Sequence, residues 1–214
     1  VTVAVWLGNA LPTRSVRWLD GVLATAAKLG GATAIAAGDI SWLDLAADRA
    51  RFHGVASSGI SSDLSLDYLG WAQVAAAAVR ALGATCVLVD EVSRPERFAE
   101  VAAIAELLDF AQLTHVVALE REGSVIHASR AAGRVIQTVR VHGSVVLGVR
   151  IADEPVDEYP TPVPSRSMRR LRIAELGLDP MVLAHRALPR RASTQPKKTV
   201  DRIAEYLAVH VVKP

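Results

Sequence analysis

Asp90-Glu91 stands where the apolar run Thr85–Val89 gives out, and paired carboxylates at the end of a strand could serve acid–base chemistry or ligand binding. In a parallel sheet, ligands gather outside the carboxyl ends of the strands. A solvated turn makes the same demand on the sequence, and it is the reading preferred here. The six histidines, His53, His115, His127, His142, His185 and His210, include no pair three or four apart, so no zinc or haem spacing is present. There is no Gly-x-Ser-x-Gly, no Walker loop, and no Gly-x-Gly-x-x-Gly behind the first apolar run, where Gly8 stands alone. Nothing assembles a nucleophile with a base, and no catalysis is expected of the chain itself. Cys86, the only cysteine, lies in the same apolar run. It is expected to be packing, and it can form no internal disulfide.

Charge is the next candidate for function. Arg166, Arg169, Arg170 and Arg172 cluster, and Arg190-Arg191 and Lys197-Lys198 follow. Residues 1–110 carry eight Lys or Arg against twelve Asp or Glu, and residues 111–214 carry sixteen against ten. An acidic partner or anionic ligand would therefore meet the second half. No aromatic residues interleave with the arginines apart from Tyr159 upstream, and no nucleic-acid motif surrounds them, so nucleic acid is not an expected partner. The cluster follows Pro155, Pro160, Pro162 and Pro164, which stiffen an exposed segment at low entropic cost. Linker and docking surface both fit that composition.

The elements that must position these residues are legible from periodicity. Thr2–Leu7, Thr33–Ala37, the weaker Val55–Ile60 and Thr85–Val89 read as buried strands. Between them lie helices through Val16–Ala27, Ser41–Phe52 (capped by Ser41), Leu66–Leu82 and, entered through Pro95, Arg97–Leu108. Continuous apolar strands alternating with helices predict an α/β protein with a doubly wound, mostly parallel sheet. After Gln112 the pattern changes to Val116–Glu120, Ser124–Ser129, Val135–Val141 and Val145–Ile151, separated by turns at Gly123, Gly133 and Gly143. With no room for crossover helices, these are expected as appended antiparallel hairpins. The expected organisation is one domain over 1–152 and an extended arm over 153–214, the arm ending in an amphipathic helix, Thr199–Val209.

Half the residues (51%) are apolar and 21% charged, the balance of a folded chain. No run reaches the ~18 apolar residues that a membrane span needs. Val1–Trp6 shows neither a basic lead nor a cleavage pattern. A cytoplasmic protein that is not membrane-embedded is expected.

The second half resembles a known family. Leu107-Leu108-Asp109-Phe110-Ala111-Gln112, hairpins closing through Arg130-Ala131-Ala132-Gly133, then Val145–Ile151, Glu154-Pro155 and Val163-Pro164-Ser165-Arg166-Ser167-Met168-Arg169-Arg170 follow in one order. That order is similar to the beta subunit of electron transfer flavoproteins, which runs Leu-Leu-Gly-Trp-Pro-Gln, antiparallel hairpins, Asn-Glu-Pro-Arg-Tyr and Leu-Pro-Asn-Ile-Met-Lys-Ala-Lys-Lys. Leu188-Pro189-Arg190-Arg191 through Leu207 stands in the place of the family's wrapped tail. The resemblance covers the whole chain in element order and about residues 107–210 in motif.

It implies a Rossmann-like domain with a partner-gripping arm, in a heterodimer whose alpha subunit holds most of the FAD. It also implies electron transfer from a dehydrogenase that docks on the 161–170 loop, and commonly a structural AMP in the beta subunit. Residue by residue, Val163 and Pro164 match the docking Leu-Pro, and Met168 matches its methionine across one inserted residue. Ala4-Val5 and Gly38 match residues of the family's nucleotide site. The departures fall on that same site. The family's Asn-Pro-Phe-Asp element has no counterpart in Gly8–Pro12, and its phosphate loop, ending Gln-Thr-Gly, becomes Ala99-Glu100-Val101. Glu100 would then put a carboxylate where the phosphate belongs, disfavouring AMP, although Arg94 or Arg97 could restore anion affinity. The alternative function is an adenine-nucleotide-binding regulatory module without an electron-transfer role.

Overall fold

The computed structural model describes residues 1–8, 17–91, 97–151 and 168–184. Arg94, Pro95, Val163, Pro164, Arg166, the stiff proline segment and the expected terminal helix lie outside the described residues. Within them the chain is α/β, with a mostly parallel nine-stranded sheet and five helices. The strands are β1 (Val3–Gly8), β2 (Ala32–Gly38), β3 (Ala56–Ser61), β4 (Cys86–Asp90), β5 (Ala111–Glu122), β6 (Val125–Ala132), β7 (Val135–Val141), β8 (Val145–Val149) and β9 (Arg169–Arg172). The helices are α1 (Arg17–Leu29), α2 (Ile40–Phe52), α3 (Tyr68–Leu82), α4 (Arg97–Leu108) and the short α5 (Pro180–Ala184). Strand order is β7-β6-β5-β8-β4-β1-β2-β3-β9.

β1 has every residue buried because both faces of the sheet are covered, and successive side chains feed opposite cores. Val3, Val5 and Leu7 pack with Leu19, Leu23, Trp42 and Leu43 of α1 and α2. Ala4 and Trp6 pack with Trp71, Val74, Val101 and Ile104 of α3 and α4. The expected cap of α2 is corrected. The helix starts at Ile40, so Ser41 falls inside its first turn and Asp39 is the cap, its carboxylate accepting from Trp42 N at 2.9 Å.

The hairpins come out as expected in β5–β6 and β6–β7, which are antiparallel. The expectation fails for Val145–Ile151. β8 threads back between β5 and β4 and runs parallel to both. Its sequence, Val-Val-Leu-Gly-Val, is buried throughout and lacks the alternation of a half-exposed hairpin strand. The arm also begins inside the sheet, since Arg169–Arg172 forms β9 beside β3. β9 is an edge strand whose three arginines are exposed, charges that discourage pairing with another chain. Two of them are partnered: Arg170 meets Asp44 at 2.6 Å and Arg172 meets Glu175 at 3.4 Å. The Arg172 backbone N–H, bonded to Glu175, holds that carboxyl below its usual range.

Cys86 is fully buried in β4, and burial pushes its thiol from an ordinary 9.0 up to about 12. The folded state favours the neutral thiol, so this group's contribution to stability is present below about pH 9 and is lost as pH rises toward 12. A thiol reagent at mildly alkaline pH is expected to leave the folded chain unmodified and to label one equivalent in denaturant. Rapid labelling of the folded chain would contradict the burial.

Candidate functional site

β1 and β4 lie side by side; β2 and β3 follow beyond β1, and β8 and β5 beyond β4. The carboxyl ends of β1 and β4 thus frame the point where strand order reverses, the usual ligand position in such sheets. Among the described residues, side chains of the chain's own core come together there. Trp6 Nε1 donates to Glu100 Oε1 at 2.6 Å. Arg97 Nη2 donates to the carbonyl oxygen of Leu7, while Nη1 lies 3.4 Å from Glu100 Oε2 without the alignment of a hydrogen bond. Arg97 is 2% and Glu100 5% exposed, so this is a buried ion pair.

Glycine at position 8 makes the arrangement possible. Gly8 has φ +59°, and a Cβ there would stand 2.5 Å from Arg97 Nη2. Only glycine tolerates both the left-handed backbone and the close guanidinium. The Gly8 carbonyl oxygen is taken as well, accepting from Trp42 Nε1 at 2.7 Å.

The residues matched to a nucleotide site are distributed otherwise. Ala4 and Val5 are buried in the middle of β1 and face opposite cores. Gly38 closes β2 at the same end of the sheet as the crevice, with φ +146°, and its carbonyl oxygen accepts from Ser62 N at 3.1 Å. Met168 is buried, its sulfur and terminal carbon closing on the bare α carbon of Gly59, where a Cβ would lie 3.0 Å from either. In the described fold it enters the core just ahead of β9.

On the other side of β4, the solvated-turn reading of Asp90-Glu91 is overturned, since both residues are buried. Glu91, 6% exposed, folds over β8, where Gly148 provides the room. Its Oε2 receives the backbone N–H of His115 at 3.0 Å and lies 3.0 Å from His115 Nδ1. Arg150 Nε stands 3.4 Å from the same oxygen. The first turn of α4 adds Phe98, whose ring stacks on His115 with centroids 5.6 Å apart and planes at 29°. Pattern reading missed this cluster because its members meet only in the fold: His115 lies in β5, Glu91 and Arg150 directly follow β4 and β8, and Phe98 is in the first turn of α4. The available signal was Gly148, since a glycine inside an apolar strand marks a close approach.

No protein-family model and no curated protein matches the chain. Among the described residues no helix is long and apolar enough to cross a membrane, and no three metal-ligating side chains come together.

Proposed function

We propose that the chain is a beta-type subunit of a heterodimeric electron transfer flavoprotein, with the FAD held mainly by an alpha subunit and electrons received from a dehydrogenase. The observation that carries the reading is the order of elements across the region of motif resemblance. Helix α4 ends in Leu107-Leu108 with Asp109 just beyond it, hairpins β5–β7 follow, and β8 is followed by the proline segment and the edge strand β9. A detail at the helix end adds support. Asp109 takes φ +55°, a left-handed conformation, at the position where the family motif carries glycine.

AMP does not fit this chain. A phosphate at the amino terminus of α4 would meet the Glu100 carboxylate, already bonded to Trp6, and the one described cation beside it, Arg97, is held by Leu7 and Glu100. The same contacts disfavour the rival reading as an adenine-nucleotide-binding regulatory module. Recognition of a dehydrogenase belongs in this reading to the 161–170 segment, with Val163 and Pro164 as anchors and acidic groups on the partner facing the arginines.

Co-expression with an electron transfer flavoprotein alpha subunit from the same source tests the proposal. A stoichiometric yellow complex is expected, and two subunits that elute separately would sink it. Extraction of the purified chain should release no adenine nucleotide; a molar equivalent of AMP would reverse the argument from Glu100.

A further inference from the structure

We propose that His115, Arg150 and Phe98 form a binding site for a small ligand that carries a carboxylate or phosphate beside a planar ring, with Glu91 as the positioning residue beneath them. The site is independent of the electron-carrier reading and requires no second subunit.

Three features of the fold converge on it, and each has a stability cost. His115 sits at φ +60°, where a residue with a Cβ is strained. It does so because β5 bulges against β8: Leu113 pairs with Leu147 and Val116 with Val149, so one extra residue is accommodated opposite Gly148. Bulges of this kind re-aim side chains beside functional sites. The carboxylate of Glu91 is buried although its Oε1 has no hydrogen-bond partner among the described residues, an arrangement that packing alone does not favour. What the fold gains is a fixed imidazole.

A carboxylate can only accept, so Nδ1 of His115 carries the proton shared with Glu91. Nε2 then holds the lone pair, and it has no hydrogen-bond partner among the described residues. The histidine side chain is 34% exposed and that of Arg150 52% exposed. Arg150 directs Nε toward Glu91, and its terminal nitrogens have no hydrogen-bond partner among the described residues, which suits a two-pronged grip on an oxyanion. A ligand O–H can donate to Nε2, and Glu91 beneath the ring holds the imidazole in the orientation that presents this atom. Phe98, half exposed beside His115, offers a ring face to a planar ligand.

The test titrates the full-length chain with inorganic phosphate, benzoate and phenyl phosphate, read by calorimetry and by the imidazole resonances of His115. Phenyl phosphate is expected to bind most tightly and to move those resonances. His115→Gln and Arg150→Gln should each weaken it at least about tenfold, the effect of losing one charge-assisted contact. Phe98→Ala should weaken both ring-bearing probes and leave inorganic phosphate unchanged. If His115→Gln fails to fold, Arg150→Gln carries the test, because that side chain is half exposed. No binding of any probe, or binding that survives Arg150→Gln, overturns the site; equal affinity for all three probes overturns the role of Phe98.

Discussion

Replacing Arg97 by methionine lowers the unfolding free energy by about 3–5 kcal/mol, the cost of leaving a buried carboxylate without its partner. The size follows from the surroundings of Glu100, which is 5% exposed and has, among the described residues, only Trp6 Nε1 besides Arg97 within bonding reach. The double replacement Arg97→Met with Glu100→Gln is expected to recover most of the loss, because glutamine still accepts from the indole and no net charge remains buried. Urea denaturation followed by tryptophan fluorescence reads both, with Trp6 inside the affected cluster. Were the single replacement to cost under about 1 kcal/mol, or the two to add independently, the buried pair would not be holding β1 to α4. The outcome also bears on function. If Arg97 instead served a nucleotide, its loss would abolish AMP binding and leave the empty chain's stability largely intact.

The parallel core was legible because its signals are local. Uninterrupted apolar strands, each followed by an apolar helical face of about three turns, leave few alternatives to a sheet covered on both sides. Helix ends were less legible: Asp39 and Ser41 are both good caps, and only the geometry of β2 decides that Asp39 remains extended. β8 was misjudged because the short turn at Gly143 ahead of it, following those at Gly123 and Gly133, suggested a meander, and turn length outweighed composition. Its Val-Val-Leu-Gly-Val run already carried the opposite signal, since an edge hairpin strand would alternate. β9 was not legible at all. Arg-Arg-Leu-Arg has no strand pattern, and its place in the sheet depends on β3 offering an edge and on Met168 entering the core beside it.

The candidate site divides in the same way. Glu100 reads as an obstacle to phosphate where the resembling family's loop ends Gln-Thr-Gly, and its place in the first turn of α4 was legible because a helix start is a local feature. The engagement of Arg97 was not legible: its guanidinium is bound to the carbonyl oxygen of Leu7 at the end of β1. The distance in sequence is the reason, since Leu7 and Arg97 meet only once the sheet has formed. Asp90-Glu91 shows the reverse error. Two adjacent carboxylates read as solvated because buried charge is rare, yet Arg150 and the His115 backbone N–H supply the counter-charge and the donor that permit burial.

Gly148→Ala is expected to be strongly destabilising. A Cβ at that position would stand 2.6 Å from the carboxyl carbon of Glu91 and 2.9 Å from its Cγ, and neither can retreat while the carboxylate holds His115 and Arg150. Either β8 shifts, at the cost of about 1–3 kcal/mol typical of overpacking, or Glu91 swings out and strips the His115 N–H of its acceptor, at a further cost of about 1–3 kcal/mol. Thermal and urea melts give the total. The mechanism is separated from a general intolerance of alanine in β8 by the pair Gly148→Ala with Glu91→Ala, in which the obstructing side chain is gone. That pair should be less destabilised than the two single replacements added together, since removing Glu91 abolishes the clash. Strict additivity would mean that Gly148 is needed for the strand and has nothing to do with Glu91. Because the same carboxylate orients His115, Gly148→Ala should also abolish the response of the His115 imidazole to phenyl phosphate, which a defect confined to β8 packing would leave in place.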